Sequence, residues 1–542
     1  MNTTRKEFLV GLGAVSALPR LLAAAERPLL KVGITTDTHF GRTDVKGVER
    51  VEKAWNLFKR LGCGLIANCG DIADKFYPDW YAEVCKLRTR VFDDPTAAPK
   101  EIWVYAGHDR IDMPDDTDKR GLGNYALLKE KLKIPHEAYD TLSLAGFEFL
   151  VVPSVADFGR YEKMLAAACA KTPDKPVFVF DHHPGSRTTE GSALWGDERR
   201  RELLSKFPQV VHFTGHAHGS LYNEQNIHQD GYTSVSAACL TYFTGTYTGT
   251  FVSSGQNRAV LVMELYADFA VIRRYQIDTG AEIGADEPWT IRWLYDPKRP
   301  FYSHANMRLR HPPATFPAGA VLSVTPSVLK GKWFDSRGAK LVVDFPETGS
   351  RFTWFYRLEA FRRDTATGRD IRILQRDIRG EYCNEPKDRT GKVRDVLDAA
   401  YFTSGEEISL RVTPCDFWGG EGKPLTWRGT APADVAALVC RGEVEKGTYR
   451  LPALPPEADG KDLKVVVEAE FDQPGEMPVC LGVKACDFWW AARMTTPLGH
   501  TKLTYIFTIY KADAAKRYEF SFAGGTKPWS VEFSNLRIFA MP

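Results

Sequence analysis

Between residues 29 and 280, short apolar runs alternate with stretches whose apolar residues recur at helical spacing. Residues 30–36, 64–68, 101–105, 177–180 and 210–214 are short, mainly apolar runs of strand length, the pattern of buried strands. In residues 47–61, Val51, Ala54, Leu57, Phe58 and Leu61 fall on one helical stripe. Residues 161–170 and 197–206 also read as helices, the second strongly charged. Strands alternating with helices predict an α/β architecture. Beyond about residue 315 the texture changes. Short β-branched and aromatic runs, such as 340–345, 352–359, 408–413, 463–468 and 530–539, are separated by Gly, Pro, Asp and Asn clusters. Turn residues at that density predict all-β sandwiches.

The division that follows is a leader at 1–27, a catalytic-looking unit at 28–285, a linker at 286–314 and two β units at 315–428 and 429–542. The leader has Arg5 and Lys6, then an apolar stretch, then Ala23-Ala24-Ala25. That order is the one a secretory signal shows, and the stretch is too short to span a membrane. Residues 4–9, Thr-Arg-Lys-Glu-Phe-Leu, also resemble a twin-arginine export signal with Lys6 in place of the second arginine. Export to the periplasm or the outside is the expectation. Elsewhere no apolar run approaches the ~18 residues a spanning helix needs. Lys and Arg number 71 and Asp and Glu 69, a formal net charge of +2. This balance excludes a nucleic-acid scaffold binder, which would carry a basic excess. None of the ten cysteines forms a C-x-x-C pair, so neither a zinc knuckle nor a thioredoxin-like site is supported. Most lie in apolar contexts, such as 238–240 and 438–440, and are expected to be buried free thiols.

The chemistry gathers at the ends of five predicted strands. Asp37-Thr38-His39 follows the first and Gly70-Asp71-Ile72-Ala73-Asp74 the second. Gly107-His108-Asp109, His182-His183-Pro184 and Gly215-His216-Ala217-His218 follow the others. Ligands bind at the carboxyl ends of strands in α/β sheets. Six of the twelve histidines lie in these loops. Mixed imidazole and carboxylate donors suit Mn, Fe, Zn, Co or Ni. Asp71 can bridge two ions with its two oxygens, and two such ions can hold a phosphoryl group for in-line attack by a metal-bound hydroxide. His108 suits stabilisation of developing charge or protonation of a leaving alkoxide.

These five motifs, in this order, resemble the calcineurin-like metallophosphoesterases, whose pattern is D-x-H, G-D-x-x-D, G-N-H-[DE], H-x-P and G-H-x-H. The resemblance covers about residues 29–280. It implies a four-layer fold, two mixed sheets face to face with helices outside. It implies two divalent metal ions, one at Asp37, His39, Asp71 and His218, the other at Asp71, His182 and His216. It implies catalytic roles for His108 and Asp71. Asp74, Asp109 and His183 are then expected to orient the ligands rather than bind metal.

One position departs from the family. Gly107 stands where its Asn ligand to the second metal would be, so that site is weakened. Water or substrate fills the gap, or Asn68 substitutes, or the second metal binds weakly. The β-rich half shows fainter resemblances. Residues 315–428 resemble a fibronectin type III-like sandwich, and 429–542 a jelly-roll of the carbohydrate-binding kind. Trp489, Trp490 and Trp529 suit either a sugar-facing surface or a core.

The expected protein is an exported metallophosphoesterase acting on a phosphomonoester or phosphodiester. Its expected partner is a phosphorylated small molecule, a glycan or a lipid head group, with carbohydrate as a further partner of the C-terminal unit. The rival reading is a glycan-binding surface protein with a degenerate, non-catalytic phosphoesterase head. Arg187, Trp195 and Tyr242 are expected mainly in surface or core roles.

Overall fold

The computed structural model describes residues 27–41, 47–111, 122, 125–241, 243–244, 251–252, 258–293, 295–330, 337–380, 389–433, 437–442, 451–471, 480–484, 502–523 and 531–541. The expected leader at 1–26, Tyr242, Trp489, Trp490 and Trp529 lie outside them. Described residues up to Arg310 form one compact unit and those from His311 another.

The first unit holds two mixed sheets. Its strands are β1 Leu30–Thr35, β2 Leu65–Asn68, β3 Lys100–Trp103, β4 Asp140–Leu144, β5 Phe147–Val151, β6 Val177–Phe180, β7 Val210–Thr214, β8 Ile227–Asp230 and β9 Tyr232–Ser236. A short ladder, β10 Phe243–Thr244 and β11 Phe251–Val252, precedes β12 Ala259–Leu265, β13 Phe269–Gln276, β14 Glu282–Ile283 and β15 Trp289–Arg292. One sheet runs β14-β13-β12-β1-β2-β3, with β15 also on β13. Within it β1, β2 and β3 are parallel, and β12 and β13 antiparallel. The other runs β4-β5-β6-β7-β9-β8, parallel from β5 to β9. All five motif-bearing strands read from the sequence are present. β2, β6 and β7 are buried along their whole length and β1 along most of it, as runs covered on both faces must be, while β3 is buried only over its last two residues.

Helices cover one face of each sheet. These are α1 Gly47–Leu61, α2 Pro78–Val91, α3 Tyr125–Leu132, α4 Phe158–Lys171, α5 Ser192–Trp195, α6 Glu198–Leu204 and α7 His304–Arg310. Val51, Leu57 and Phe58 of α1 pack with Tyr81 and Val84 of α2 against Ile66, Trp103 and Val260. Tyr161 and Leu165 of α4 pack with Leu203 and Leu204 of α6 against Leu150, Val177 and Val210. Asp157 caps α4 and Asp197 caps α6, each side chain accepting from two backbone amides of the first turn. Trp293, just past β15, meets Phe147 and Phe178 edge-on, joining the two sheets.

Residues 286–310, expected within a linker, are built into this unit. Trp289 and Ile291 alternate inward along β15, and Tyr302 and Met307 are buried behind them. Trp289 Nε1 donates to Glu224, which also binds the buried Arg274 guanidinium at 2.9 Å. That guanidinium lies 4.4 Å from the Trp289 ring.

The second unit is all β among its described residues, apart from short 3-10 turns. A three-stranded sheet, Ser323–Lys330, Arg337–Pro346 and Lys392–Asp398, shares a core with a four-stranded sheet. The latter comprises Asp370–Arg379, Thr353–Arg363, Glu407–Asp416 and Leu425–Thr430. A further four-stranded sheet joins Ala437–Gly442, Val531–Ala540, Leu463–Phe471 and Lys502–Ile509, and Cys480–Lys484 pairs with Glu519–Ala523. Cys63, Cys69, Cys239 and Cys415 are buried free thiols, and Cys85 and Cys169 are free but only half-buried.

Candidate metal centre

Each motif begins within a few residues of a strand's carboxyl end: β1, β2 and β3 in one sheet, β6 and β7 in the other. The site therefore lies where loops of both sheets meet. The first two loops are zipped together, Asp37 N to Gly70 O, His39 N to Asp71 O and Phe40 N to Ile72 O, all at 2.9–3.1 Å. Gly215 is required at the fifth: a Cβ there would lie 1.9 Å from Thr36 Oγ1 and 2.3 Å from Asp37 Oδ2.

Three groups of donor atoms result: Asp37, His39 and His218; Asp71, His182 and His216; and His39, Asp74 and His108. All six expected ligands fall in the first two. Asp71 stands between them, Oδ2 lying 3.2 Å from His182 Nε2 and 3.9 Å from His39 Nε2. Its Oδ1 accepts the His108 amide at 3.0 Å. Asp37 Oδ2 is held by the Thr36 hydroxyl and the His216 amide. Its Oδ1 lies 3.0 Å from His218 Nε2.

The expected orienting residues hold these side chains. His39 Nδ1 donates to Asp74 Oδ1 at 3.1 Å and His182 Nδ1 to the Cys69 carbonyl at 2.9 Å, so both Nε2 lone pairs point inward. His108, half-buried, directs Nδ1 to the Asp74 carbonyl at 2.9 Å. Asp109 does not reach the donor groups; it accepts the amides of Ile72, Ala73 and Ala106 and so fixes the second loop against the third. Burial and the Asp71 charge push its pKa up to about 8. His183 packs at 4.2 Å between centroids on His216. Burial, with His182 and His216 adding to it, pushes its pKa down to about 2.

The electrostatics are those of a place built for cations. Burial alone would raise the carboxyls of Asp37 and Asp71, yet the surrounding imidazoles hold both below the usual range. His182, despite burial, is pushed up to about 9 by Asp71 and Asp37, and burial drops His216 to about 4. Asp37 Oδ1 and His182 Nε2 are fully buried, and the groups nearest them are other members of the donor groups, His218 Nε2 at 3.0 Å and Asp71 Oδ2 at 3.2 Å. His39 Nε2 and His218 Nε2 face each other at 3.4 Å. Carboxylates and imidazoles crowded together in a buried site are costly unless a cation, bound or carried as a proton, lies among them. The residues present thus fit divalent ions.

Backbone strain marks the same residues. Asp37, His39, Asp71, His216 and His218 all have φ between 41° and 67°, a region that side-chain-bearing residues rarely adopt. Such strain costs of order 1–3 kcal/mol per residue and gathers at functional sites.

Asn68 does not replace the ligand missing at Gly107; its Oδ1 accepts the Gly70 amide at 2.8 Å. Around Gly107 a Cβ would meet nothing within 4 Å. Two residues of the site carry no motif in the sequence. Asp181 accepts the His182 amide at 2.6 Å and binds the buried Arg200 Nε at 2.7 Å. Its only mark in the sequence is its place directly before His182. Cys239 hydrogen-bonds the His218 side chain from 21 residues away, with no motif around it.

Residues 30–220 match the model of the calcineurin-like phosphoesterase family. With the donor groups, that match supports a metal-dependent phosphoesterase. No curated protein matches the chain. Among solved structures, a dimetal phosphatase from Danio rerio is similar at 11% identity and TM-score 0.34, covering 49% of this chain and 99% of its own. A purple acid phosphatase from yellow lupin is similar at 14% and 0.36, covering 48% and 53%. The glycosylasparaginase of Flavobacterium meningosepticum is similar at 9% and 0.18, covering 42% and 92%.

Proposed function

We propose that the first unit hydrolyses a phosphoric ester, with Asp37, His39, Asp71 and His218 holding one divalent ion and Asp71, His182 and His216 a second. The observation that carries this is the convergence of two buried groups of carboxylate and imidazole donors, placed side by side by Asp71. Bound ions supply Lewis-acid polarisation of phosphoryl oxygens and a water acidic enough to react near neutral pH. The chain's own residues do the rest. Asp71 fixes the spacing of the two donor groups through its two oxygens. Thr36 and the His216 amide pin Asp37 so that only Oδ1 faces the site. His108, tied to the Asp74 carbonyl through Nδ1, presents Nε2 at a partly open position, where it delivers a proton to the leaving oxygen. The pattern of residues 1–27 supports export and hence a substrate outside the cytoplasm.

A non-catalytic head is the second reading, favoured by the absent side chain at Gly107. Metal-stripped protein reloaded with Mn2+ and assayed on nitrophenyl phosphate and its bis ester separates the two. The enzyme reading expects turnover, and Asp71→Asn to lower it at least about 10³-fold while calorimetry shows fewer ions bound. Failure of wild type with every divalent ion, or no effect of Asp71→Asn, leaves the non-catalytic head.

A further inference from the structure

We propose that Trp195 is the specificity-determining wall of this site, and that the favoured ester carries a flat aromatic ring beside its phosphoryl group. This rests on the hydrolase reading above. Trp195 ends α5, and its ring stands at 87° to the ring of His216 with centroids 5.9 Å apart. It is nevertheless 47% exposed. An indole set against a ligand imidazole and left open to solvent is an apolar surface awaiting a partner.

The segment that carries it is held rigidly. Thr188 N donates to Ser192 Oγ at 2.7 Å, and that hydroxyl donates to Thr189 O at 2.6 Å. Gly196 N closes on Ser192 O and Asp197 N on Pro184 O, both at 2.9 Å. The platform thus starts directly after His182-His183-Pro184 and returns beside it, so little ordering remains to be done when a ring lands.

Other exposed apolar residues follow the second and third donor loops in sequence. Of six large apolar residues exposed among the described residues of this unit, three are Tyr77, Ile111 and Trp195. Tyr77 follows Asp74 by three residues and Ile111 follows His108 by three. Phe76 N donates to Ile111 O at 2.7 Å, joining those two segments. An aromatic ring fits this setting better than a sugar. A sugar needs hydroxyl partners, and the Ser192 and Thr188 hydroxyls are spent inside the loop.

The test titrates phenylphosphonate, methylphosphonate and glucose 6-phosphate into Mn2+-loaded full-length protein by calorimetry. Wild type is expected to prefer phenylphosphonate over methylphosphonate about tenfold, Trp195→Ala to lose that preference, and Trp195→Phe to keep most of it. The phenyl-to-methyl ratio is the readout because a merely structural lesion lowers both affinities together and leaves it unchanged. Equal binding of the two phosphonates by wild type, or a ratio untouched in Trp195→Ala, overturns the assignment. So does a preference for glucose 6-phosphate that Trp195→Ala removes. Binding of none of the three by loaded wild type overturns the hydrolase reading itself, and this proposal with it.

Discussion

The candidate metal centre of the first unit and the β sheets of the second bury charge in opposite ways. In the second, buried carboxylates meet cations of the same chain. Asp398 accepts Lys340 at 2.7 Å and Lys464 at 2.9 Å, and Glu359 accepts Arg372 and Arg411 at 2.7 Å. Burial works to raise the Glu359 pKa, but the two guanidiniums hold it low. In the first unit, Asp37 and Asp71 are gathered with four imidazoles whose inward nitrogens point at the carboxylates and at one another. Charge closed within the chain holds strands together. Charge left facing inward without such closure marks a place for something the chain does not contain.

The contrast can be broken most severely at Asp398. Asp398→Ala takes away the carboxylate that two buried ammoniums share and is expected to cost about 3–5 kcal/mol. Urea denaturation should show this in the second unit with metal stoichiometry unchanged. A loss below about 1 kcal/mol would mean that these pairs do not support the fold.

A smaller effect sharpens what is special about the site histidines. His228 is half-buried in the first unit away from the donor groups, its ring 5.2 Å from that of His304 and its Nδ1 buried without a partner. Burial and His304 push its pKa down to about 4. A histidine whose folded pKa is depressed takes up a proton on unfolding. Its stability contribution is whole above about pH 6.5 and is lost as pH falls toward 4. His228→Asn should flatten that limb of the stability–pH curve measured by denaturant titration. An unchanged limb would assign the loss to other groups.

The smallest change addresses the departure at Gly107. Since a Cβ there meets nothing, Gly107→Asn is expected to fold normally and to tighten the weaker of two metal-binding events about tenfold, roughly 1.4 kcal/mol, in a calorimetric titration. Unchanged affinity would mean that the gap lies off the second donor group.

These expectations trace back to what a linear sequence displays. The donor loops were legible because each follows a short apolar strand and carries residue types with little reason to be there otherwise. Helix 47–61 was legible residue for residue, its stripe being unbroken. The β4–β5 hairpin was not: Ala145 takes a left-handed φ of 51°, which alanine does not advertise. Helix Pro78–Val91 begins Pro-Asp-Trp-Tyr, a mixture without clear periodicity. The Glu224–Arg274–Trp289 clamp joins residues 50 and 65 apart, which no local pattern reports, so the stretch containing Trp289 read as linker. Cys239 and Asp181 were missed for the same reason: their roles come from spatial neighbours.

The left-handed backbone at five of the six donors bears on kinetics. A loop that already holds an unfavourable conformation while packed and hydrogen-bonded has no large rearrangement left to make when an ion arrives or departs. Ion exchange at this centre should therefore run at rates set by diffusion and ligand release, with no slow conformational phase in stopped-flow traces. The stripped protein should keep its tertiary near-ultraviolet signature, unlike small domains that fold only around their metal.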